Sequence, residues 1–346
     1  MKRVMIGAMG HGHPQTVLSN DFFNRLDIDS SADWITDRIG IERRCSVLAR
    51  EDIEALKSGQ LTRDELVRAG RIRSMGEMAE KPWELLNKRA LEAGHEVAPD
   101  LVIAGSSVPD WDIPANACAI ASHLNIDSAA FDVNSACSSF VVDLHVARSL
   151  LQTGVQRQIA VFNVERYTTR LNYNDRNSCV LFGDGAAVSL LQEWDPDQRR
   201  AHAAPIGGFE VVDTVIHSNP QGFRHVIIPD GSFFSQNGSV VQKFAVTKTV
   251  AVTLEILERN QVGVEQISYF VGHQANLRML TSVVEKLHLR QDQHLFNVDQ
   301  FGNQGGAGAP AVISQNWDQF VPGDLVVVSV VGAGLTWGSA LLRALP

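Results

Sequence analysis

Short apolar runs alternate with amphipathic segments along most of this 346-residue chain. Segments with apolar residues at helical spacing, such as 80–94 and 141–154, separate runs that are typical of buried strands. In the first half these strand-like runs are found at 3–10, 100–107, 129–136, 158–165 and 179–192. Strands that alternate with helices indicate an α/β protein whose sheets are covered on both faces.

The second half repeats this succession. A long amphipathic helix, a strand, a second helix, a strand with a turn and a final strand are predicted at 239–260, 267–272, 276–288, 294–306 and 324–334. Similar successions predict two duplicated halves, 1–195 and 196–346, joined near 193–205.

One polar segment, at about 47–77, interrupts the alternation. It carries charges of both signs at helical spacing. Such a segment is typical of a solvated surface insertion, and it also suits a cap over a substrate entrance. Both interpretations remain open at this stage.

Composition excludes several classes of protein. The chain is 45% hydrophobic and 20% charged, with a formal net charge of -9 and no dense block of Lys or Arg, so a nucleic-acid binder is not expected. No apolar run is long enough for a signal peptide or a membrane span. The cysteines lack the paired spacing of a zinc site or disulfide framework, which favours a reducing cytoplasm; they are Cys45, Cys118, Cys137 and Cys179.

Cys137 stands at a predicted strand-to-helix turn in the stretch FDVNSACSSFVVDLHVARSLL. A thiolate is a nucleophile, and the partial positive charge at a helix N-terminus stabilises it. The turn therefore predicts an activated nucleophile. An isolated buried cysteine is more often a small apolar core residue, so other polar residues must decide between the two interpretations.

Three further features follow predicted strands. His273 lies in YFVGHQANLR, and Asn303 lies in the Gly-rich turn of VDQFGNQGGAGAP. The last strand runs into Gly332, Ala333 and Gly334, where small residues let backbone N–H groups approach a ligand and form an oxyanion hole. Each feature alone is typical of an ordinary turn, but together with Cys137 they fall where open α/β sheets gather their active sites.

A cysteine protease would also use a cysteine, a histidine and an asparagine. His273 follows Cys137 by roughly 140 residues, a spacing that papain-type proteases share. The residues around Cys137 read NSACSSF, which is not the sequence that such proteases carry at their nucleophile. The protease interpretation is therefore disfavoured.

On these residues the chain resembles the β-ketoacyl-acyl-carrier-protein synthase III family of the thiolase superfamily. Six blocks in the family's order carry the resemblance: SADWITDRIGIERR, DVNSACSSF, FGDGAA, GHQANLR, FGNQGGAGAP and GLTWGSALLR. They extend over nearly the whole chain outside 47–77. The resemblance implies an α/β, thiolase-like, five-layered αβαβα fold built from two duplicated halves, in a cytoplasmic homodimer.

The resemblance also implies a chemistry for the polar residues. Cys137 would take the acyl group from a CoA thioester, and His273 and Asn303 would bind the thioester carbonyl of a malonyl carrier. The backbone N–H groups of Cys137 and Ala333 would hold the oxyanion. The reaction implied is a decarboxylative Claisen condensation in fatty acid or polyketide-type biosynthesis. Acyl-CoA and acyl carrier protein would be substrates or partners, with no permanently bound cofactor and no metal.

Further residues match the family's substrate-binding positions. The resemblance places Trp34 and Arg38 at the adenine end of CoA, and Gly238 and Asn276 along the pantetheine tunnel. It places Lys243 and Arg278 on a basic surface where an acidic carrier protein would dock. A local basic surface is compatible with an acidic chain, because only the local field needs to be positive.

Two departures from the family pattern bear on specificity. Ile113 replaces the Phe that many chain-initiating members extend into the partner's acyl pocket, which leaves more room. Together with the segment 47–77, this favours a specialised ketosynthase that joins larger chains over housekeeping initiation. The second thiolase cysteine is replaced by the segment 332–334, which argues against thiolysis.

Two other functions use the same residues differently. An acyltransferase would pass the acyl group from Cys137 to an acceptor without decarboxylation, although the retained Asn303 favours condensation. A non-catalytic scaffold of the same fold would be expected to lose the nucleophile, which this chain retains.

Overall fold

The computed structural model describes residues 2–196 and 204–346. The strands within these residues are β1 (Arg3–Gly12), β2 (Thr16–Ser19), β3 (Arg43–Ser46), β4 (Leu101–Gly105), β5 (Ala129–Asp132), β6 (Gln158–Glu165), β7 (Gly185–Trp194), β8 (Gly208–Ser218), β9 (Val226–Ile227), β10 (Ser235–Gln236), β11 (Tyr269–Gly272), β12 (Leu325–Gly332) and β13 (Thr336–Leu345). The α-helices are α1 (Asn20–Arg25), α2 (Ala32–Ile39), α3 (Arg50–Ser58), α4 (Arg63–Arg68), α5 (Met75–Glu92), α6 (Asn116–His123), α7 (Ser139–Thr153), α8 (Arg176–Cys179), α9 (Gly238–Arg259), α10 (Leu277–Lys286), α11 (Val298–Phe301) and α12 (Gly308–Gln315).

Nine strands form one sheet in the order β11-β12-β13-β8-β1-β7-β6-β4-β5. From β1 outward the pairings are antiparallel to β7, antiparallel to β6, parallel to β4 and parallel to β5. From β8 outward the pairings are antiparallel to β13, antiparallel to β12 and parallel to β11. A parallel bridge from Phe270 of β11 to His294 then takes the place that β5 has beside β4. The sheet therefore has two sides of the same topology: the first side is β1, β7, β6, β4 and β5, and the second side is β8, β13, β12 and β11. The two sides meet where β1 pairs with β8 over a short stretch.

Most of the predicted joint between the halves, residues 197–203, lies outside the described residues. The division at 195 and 196 stays a prediction.

Helices cover both faces of each side of the sheet. Helices α7 and α12 contact strands of both sides and form the middle layer, because α7 packs on β6 and β8 while α12 packs on β1 and β11. Helices α5 and α6 cover the outer face of the first side, and α9 and α10 cover the second. The predicted five-layered αβαβα fold is confirmed.

Successive residues in the strands face different cores, as the period of a pleated strand requires. Ile103 and Val161 point into the middle layer with Phe140 of α7, whereas their neighbours Val102 and Phe162 point to the core under α5. The strands are apolar on both faces, which explains why they appear in the sequence as continuous apolar runs.

Four sequence-based expectations differ from the structure. The strand predicted at 179–192 begins only at Gly185, because Asp175 caps the short helix α8 ahead of it. Residues 294–306 form α11 and turns in place of a strand. Strands β8 and β13 were not predicted. Charged and polar residues such as Glu210 and Asp213 interrupt the apolar pattern of β8, and its pairing partners are distant in sequence.

The polar segment 47–77 forms α3, α4 and the first turn of α5. Thr62 and Glu65 close a capping box at the start of α4, and Leu66 is the buried anchor of that helix. The segment is therefore ordered and packed through one face. Within the described residues, every helix is too short or too polar to cross a membrane.

Candidate active site

Cys137 lies in a tight 3-10 turn, Ala136–Ser138, between β5 and α7. Ala136 has a φ of 48°, a conformation that L-residues rarely adopt. The turn is held by the Asn134 Oδ1 atom, which accepts the Ala136 N–H at 2.8 Å, and by the Ser139 hydroxyl, which accepts the Ser135 N–H at 2.9 Å. These bonds fix the thiol at the start of the helix, with 8% of the residue exposed.

The surroundings of the thiol favour its neutral form. Burial, and then the negative charge of Glu165, raise the pKa of the Cys137 thiol to about 12, although the Tyr167 hydroxyl and a backbone N–H act in the opposite direction. Burial disfavours the thiolate and a backbone N–H favours it, so the activation of Cys137 by its place at a helix N-terminus stays a prediction. The Tyr167 Oη atom lies 3.6 Å from the Cys137 Sγ atom.

Glu165, at the end of β6, was missed by the sequence analysis. It is fully buried and its carboxylate accepts hydrogen bonds from the Ser107 N–H at 2.9 Å, the Ser107 hydroxyl at 3.0 Å and the Gly306 N–H at 3.0 Å. Burial raises the pKa of Glu165 to about 7 despite these bonds. A carboxylate at the end of an otherwise apolar strand is the one sequence signal that could have revealed it.

His273 follows β11 directly. Its N–H donates to the Ser329 carbonyl of β12 at 2.9 Å, and 5% of the residue is exposed. The Nδ1 atom is buried and has no hydrogen-bond partner among the described residues. Burial lowers the pKa of His273 to about 4, so the ring is neutral near pH 7. A neutral imidazole with an unused nitrogen is suited to bind a carbonyl group or to move a proton.

Asn303 is held from both sides of its peptide. Its N–H donates to the Leu181 carbonyl at 2.9 Å, and its carbonyl accepts the Gly183 N–H at 3.1 Å. Its Oδ1 atom accepts the Gly305 N–H at 2.9 Å, which leaves the amide N–H groups as the donors of the side chain. The Gly-rich turn that follows Asn303 contacts the nucleophile turn, because a Cβ at Gly306 would lie 3.3 Å from the Ala136 carbonyl.

The turn after β12 also touches the nucleophile. A Cβ at Gly332 would lie 2.8 Å from the Ser138 nitrogen and 3.0 Å from the Cys137 nitrogen, so only glycine fits without a shift. Ala333 is the next residue and begins the 3-10 turn Ala333–Leu335. The structure therefore places the backbone of Cys137 beside the segment that contains Ala333, and His273 and Asn303 stand on the neighbouring segments.

The residues matched to CoA form a second cluster at α2 and α10. The Arg278 Nε–H donates to the Asp37 carbonyl at 3.1 Å and ties these helices together. Trp34 is half-buried on α2, and the exposed Arg38 lies in its last turn. Asn276 caps α10, since its Oδ1 atom accepts the Met279 N–H at 2.8 Å.

Arg176, which the sequence analysis missed, belongs to this cluster. Its guanidinium lies 5.0 Å from the centre of the Trp34 ring and 3.0 Å from the Asp29 carboxylate. The signal in the sequence was its place just before the FGDGAA block. A cation over an indole face is a surface on which an aromatic base stacks readily.

The remaining candidates lie on the surface. Gly238 begins α9, and a Cβ there would meet open space; Lys243 is exposed on the same helix. The nearby Phe234 packs edge-on to Tyr167, which places the start of α9 close to the nucleophile's neighbour. Ile113 is 85% exposed on the loop after β4, away from the interior of its own subunit.

The family models and known proteins that are similar to this chain share one description. Two family models match the chain: 3-oxoacyl-acyl-carrier-protein synthase III over residues 131–208, and the C-terminal part of the same family over residues 257–344. β-Ketoacyl-acyl-carrier-protein synthase III from Thermosynechococcus vestitus is 32% identical over 98% of this chain and 98% of its own length. The protein of that name from a Sulfurovum species is 31% identical over 95% of this chain and 92% of its own length.

A solved structure shows the same architecture. The 3-oxoacyl-acyl-carrier-protein synthase III of Pseudomonas aeruginosa superposes with a TM-score of 0.83 over 99% of both chains, at 26% identity.

Proposed function

The chain belongs to the β-ketoacyl-acyl-carrier-protein synthase III family, a family of condensing enzymes of the acyltransferase class, and we propose that Cys137, His273 and Asn303 carry its reaction. One observation supports this assignment above the others. The Cys137 turn contacts the glycine-rich turn that follows Asn303 and the turn after β12, and His273 is hydrogen-bonded to β12.

In the first half-reaction the Cys137 sulfur attacks the carbonyl carbon of an acyl thioester. The Cys137 S–C bond forms, the donor C–S bond breaks, and the thiol proton ends on the departing thiolate. The negative charge on the carbonyl oxygen is held by the backbone N–H groups of Cys137 and Ala333. Such fixed donors stabilise a tetrahedral intermediate because they need no reorganisation during the reaction.

In the second half-reaction a malonyl-type thioester loses carbon dioxide and becomes an enolate. The neutral ring of His273 and the amide of Asn303 donate hydrogen bonds to the enolate oxygen. The enolate carbon then attacks the acyl group on Cys137, the thioester bond to the enzyme breaks, and the β-ketoacyl thioester leaves. The Cys137 thiolate that is released takes up a proton from water, and the burial that raises its pKa favours this step.

The substrates we propose are acyl-CoA and a malonyl or β-keto group on acyl carrier protein. The face formed by Trp34, Arg38 and Arg176 supports the binding of an adenine with its phosphates, since it combines an indole ring with guanidinium groups. Lys243 and Arg278 are exposed cations on neighbouring helices, which supports the docking of an acidic carrier. Gly238 and Asn276 are assigned to the pantetheine path between the two.

A homodimer is the assembly we propose. Strand β5 is at the edge of the sheet in the described residues, and Phe131 on it is 39% exposed. An unprotected strand edge with an exposed aromatic residue is unusual for a monomer. The nearby Ile113 is 85% exposed, which supports its placement against the partner's acyl pocket. We assign the enzyme to the cytoplasm and to fatty acid or polyketide-type synthesis.

Acylation measured on the intact protein tests the assignment. We expect a mass adduct with a panel of acyl-CoAs in the unaltered protein and no adduct in the Cys137→Ala variant. An adduct limited to acetyl and other short chains indicates fatty acid initiation, and an adduct with longer or β-keto chains indicates a specialised ketosynthase. An adduct that survives in Cys137→Ala would overturn the nucleophile assignment. Release of carbon dioxide with the product separates condensation from simple acyl transfer.

A further inference from the structure

A cleft of about 470 Å³ lies between the polar segment 47–77 and the loop after β4. One wall is α4, which contributes Arg63 and Val67, and the other is the loop residue Trp111. Arg166, next to Tyr167 at the end of β6, forms part of its lining. The volume suits a small molecule and lies within the usual range of ligand sites.

Arg166 is a buried cation with an unused donor. Its side chain is 5% exposed and pairs with Asp110 at 2.5 Å. It also donates to the carbonyls of Arg73 and Pro109, each at 3.1 Å. Its Nε–H is buried and has no hydrogen-bond partner among the described residues. A buried donor without a partner is unfavourable, so Arg166 carries an unmet donor at the wall of the cleft.

Arg63 repeats this feature on the opposite wall. Its Nε atom is also buried without a partner in the part of the chain that the structure describes. Its contact with Asp64 is 4.0 Å long, and that carboxylate is 79% exposed. Both guanidinium groups line the cleft, and the pKa of Arg166 is lowered first by burial and also by the charge of Arg63. Asp110 is already engaged by Arg166 and by the Met75 N–H.

The rest of the cleft is mixed, because Asp64, Arg68, Ser74 and Asp110 also line it beside an apolar wall. Val67, Ile72 and Trp111 form that wall, and Val67 and Trp111 are 47% and 57% exposed. Guanidinium groups recognise carboxylates through charge-assisted N–H···O bonds. We propose that this cleft binds the carboxylate of an organic acid with an apolar body, with its oxygens between Arg63 and Arg166 and its carbon chain on Val67, Ile72 and Trp111.

The acid has two possible sources with the same chemistry. It is a free carboxylic acid, or it is the far end of a dicarboxylic acyl chain whose other end is on Cys137. The second source rests on the proposed function and is consistent with the adjacency of Arg166 and Tyr167, since the Tyr167 hydroxyl lies 3.6 Å from the nucleophile.

Calorimetric titration with octanoate and with its neutral analogue octanamide tests the site directly. We expect octanoate to bind more tightly than octanamide, and Arg63→Gln to weaken octanoate at least about tenfold. Arg63→Lys should recover part of the loss, and Lys88→Gln, which removes an exposed charge on α5, should bind as the unaltered protein does. No octanoate binding together with no dicarboxylic preference, or octanoate binding that Arg63→Gln leaves unchanged, overturns the proposal.

Acylation of Cys137 distinguishes the two sources. The rate with the CoA thioester of suberic acid is compared with the rate with octanoyl-CoA. A preference for the dicarboxylic chain that Arg63→Gln abolishes assigns the carboxylate to the acyl chain, and octanoate binding without that preference assigns it to a free acid. Loss of acylation with both thioesters while octanoate still binds contradicts the proposed function and leaves this site intact.

Discussion

The Sγ atom of Cys137 lies 3.6 Å from the Oη atom of Tyr167, and both groups are buried. Burial and the Glu165 carboxylate raise the pKa of the thiol to about 12, and burial is also the main reason that the pKa of the Tyr167 hydroxyl is well above its ordinary value. Both shifts favour the protonated groups, and either group can donate the hydrogen bond to the other. The hydrogen bond from Tyr167 acts in the opposite direction on Cys137, because it lowers the pKa of the thiol.

Removing the charge of Glu165 should make Cys137 more acidic. The carboxylate disfavours a nearby thiolate, so Glu165→Gln should move the midpoint of Cys137 alkylation by iodoacetamide to lower pH. The measurement is the pH dependence of the rate, followed on the peptide that contains Cys137. Glu54→Gln, on the exposed face of α3, should leave the midpoint unchanged. A midpoint that is unchanged or higher in Glu165→Gln would show that the Glu165 charge does not raise the pKa of Cys137.

Replacing His273 or Asn303 by Ala should separate the two half-reactions. Each variant loses one donor to the enolate, and we expect carbon dioxide release from the malonyl thioester to fall by about 10²–10³-fold. Acylation of Cys137, measured by intact mass in a single turnover, should stay close to that of the unaltered protein. If acylation fails in both variants, the division of roles between these residues and the nucleophile is wrong.

Truncation of Trp34 should reduce activity with acyl-CoA more than activity with an acyl group on the carrier protein. Trp34→Ala removes the ring under Arg176, and we expect kcat/KM for acyl-CoA to fall by roughly three- to thirtyfold. A donor on the carrier protein has no adenine and should be used almost as before, which provides the internal control. Arg176→Gln should likewise lower kcat/KM for acyl-CoA and leave kcat/KM for the carrier-protein donor almost unchanged. Equal losses for the two donors would remove adenine stacking as the role of this pair.

Gly332 should tolerate no side chain. In Gly332→Ala the new methyl group meets the nitrogens of Ser138 and Cys137, and overpacking of this kind costs about 1–3 kcal/mol of unfolding free energy. Gly238→Ala adds the same group in open space at the start of α9, so its stability should be unchanged or raised by up to about 1 kcal/mol. Urea unfolding measures both. Equal stability of the two variants would contradict the close approach at Gly332.

A charge on the edge strand should prevent dimer formation. Phe131→Glu places a carboxylate on β5 that a two-fold contact would bring against its own copy, so sedimentation should show a monomer where the unaltered protein is a dimer. Val155→Glu changes an apolar residue that is 68% exposed at another surface, and its assembly should be unaltered. A dimer that persists in Phe131→Glu would place the interface elsewhere.

Much of the fold was predictable because its strands are apolar on both faces. β4, β6 and β12 appear in the sequence as continuous apolar runs between amphipathic helices. β8 and β13 did not, because β8 mixes acidic and apolar residues and both strands are specified by pairing across the centre of the sheet. Their existence depends on contacts between residues far apart in the chain.

The candidate site divides in a similar way. Local motifs singled out Cys137, His273 and Asn303, because each stands at a turn whose Gly, Ser or Asn residues are visible in the sequence. Glu165 and Arg176 have only weak local signals, because Glu165 ends an apolar strand and Arg176 precedes the FGDGAA block. Their importance comes from what folding places beside them, which is the thiol for Glu165 and the indole ring of Trp34 for Arg176.

The sequence by itself determined the α/β class and the turn that carries the nucleophile through local periodicity, and its ordered motifs determined the family, whose resemblance implied the five-layered fold. Only the tertiary structure decided which groups surround that nucleophile and shift its pKa, and which charges line the cleft beside α4. The pKa of Cys137 depends on burial and on a carboxylate 28 residues away in the chain. The cleft joins Arg63 to Arg166 across about a hundred residues. Electrostatic effects of this kind depend on the distances between charged groups in the folded protein, and a local sequence pattern cannot predict those distances.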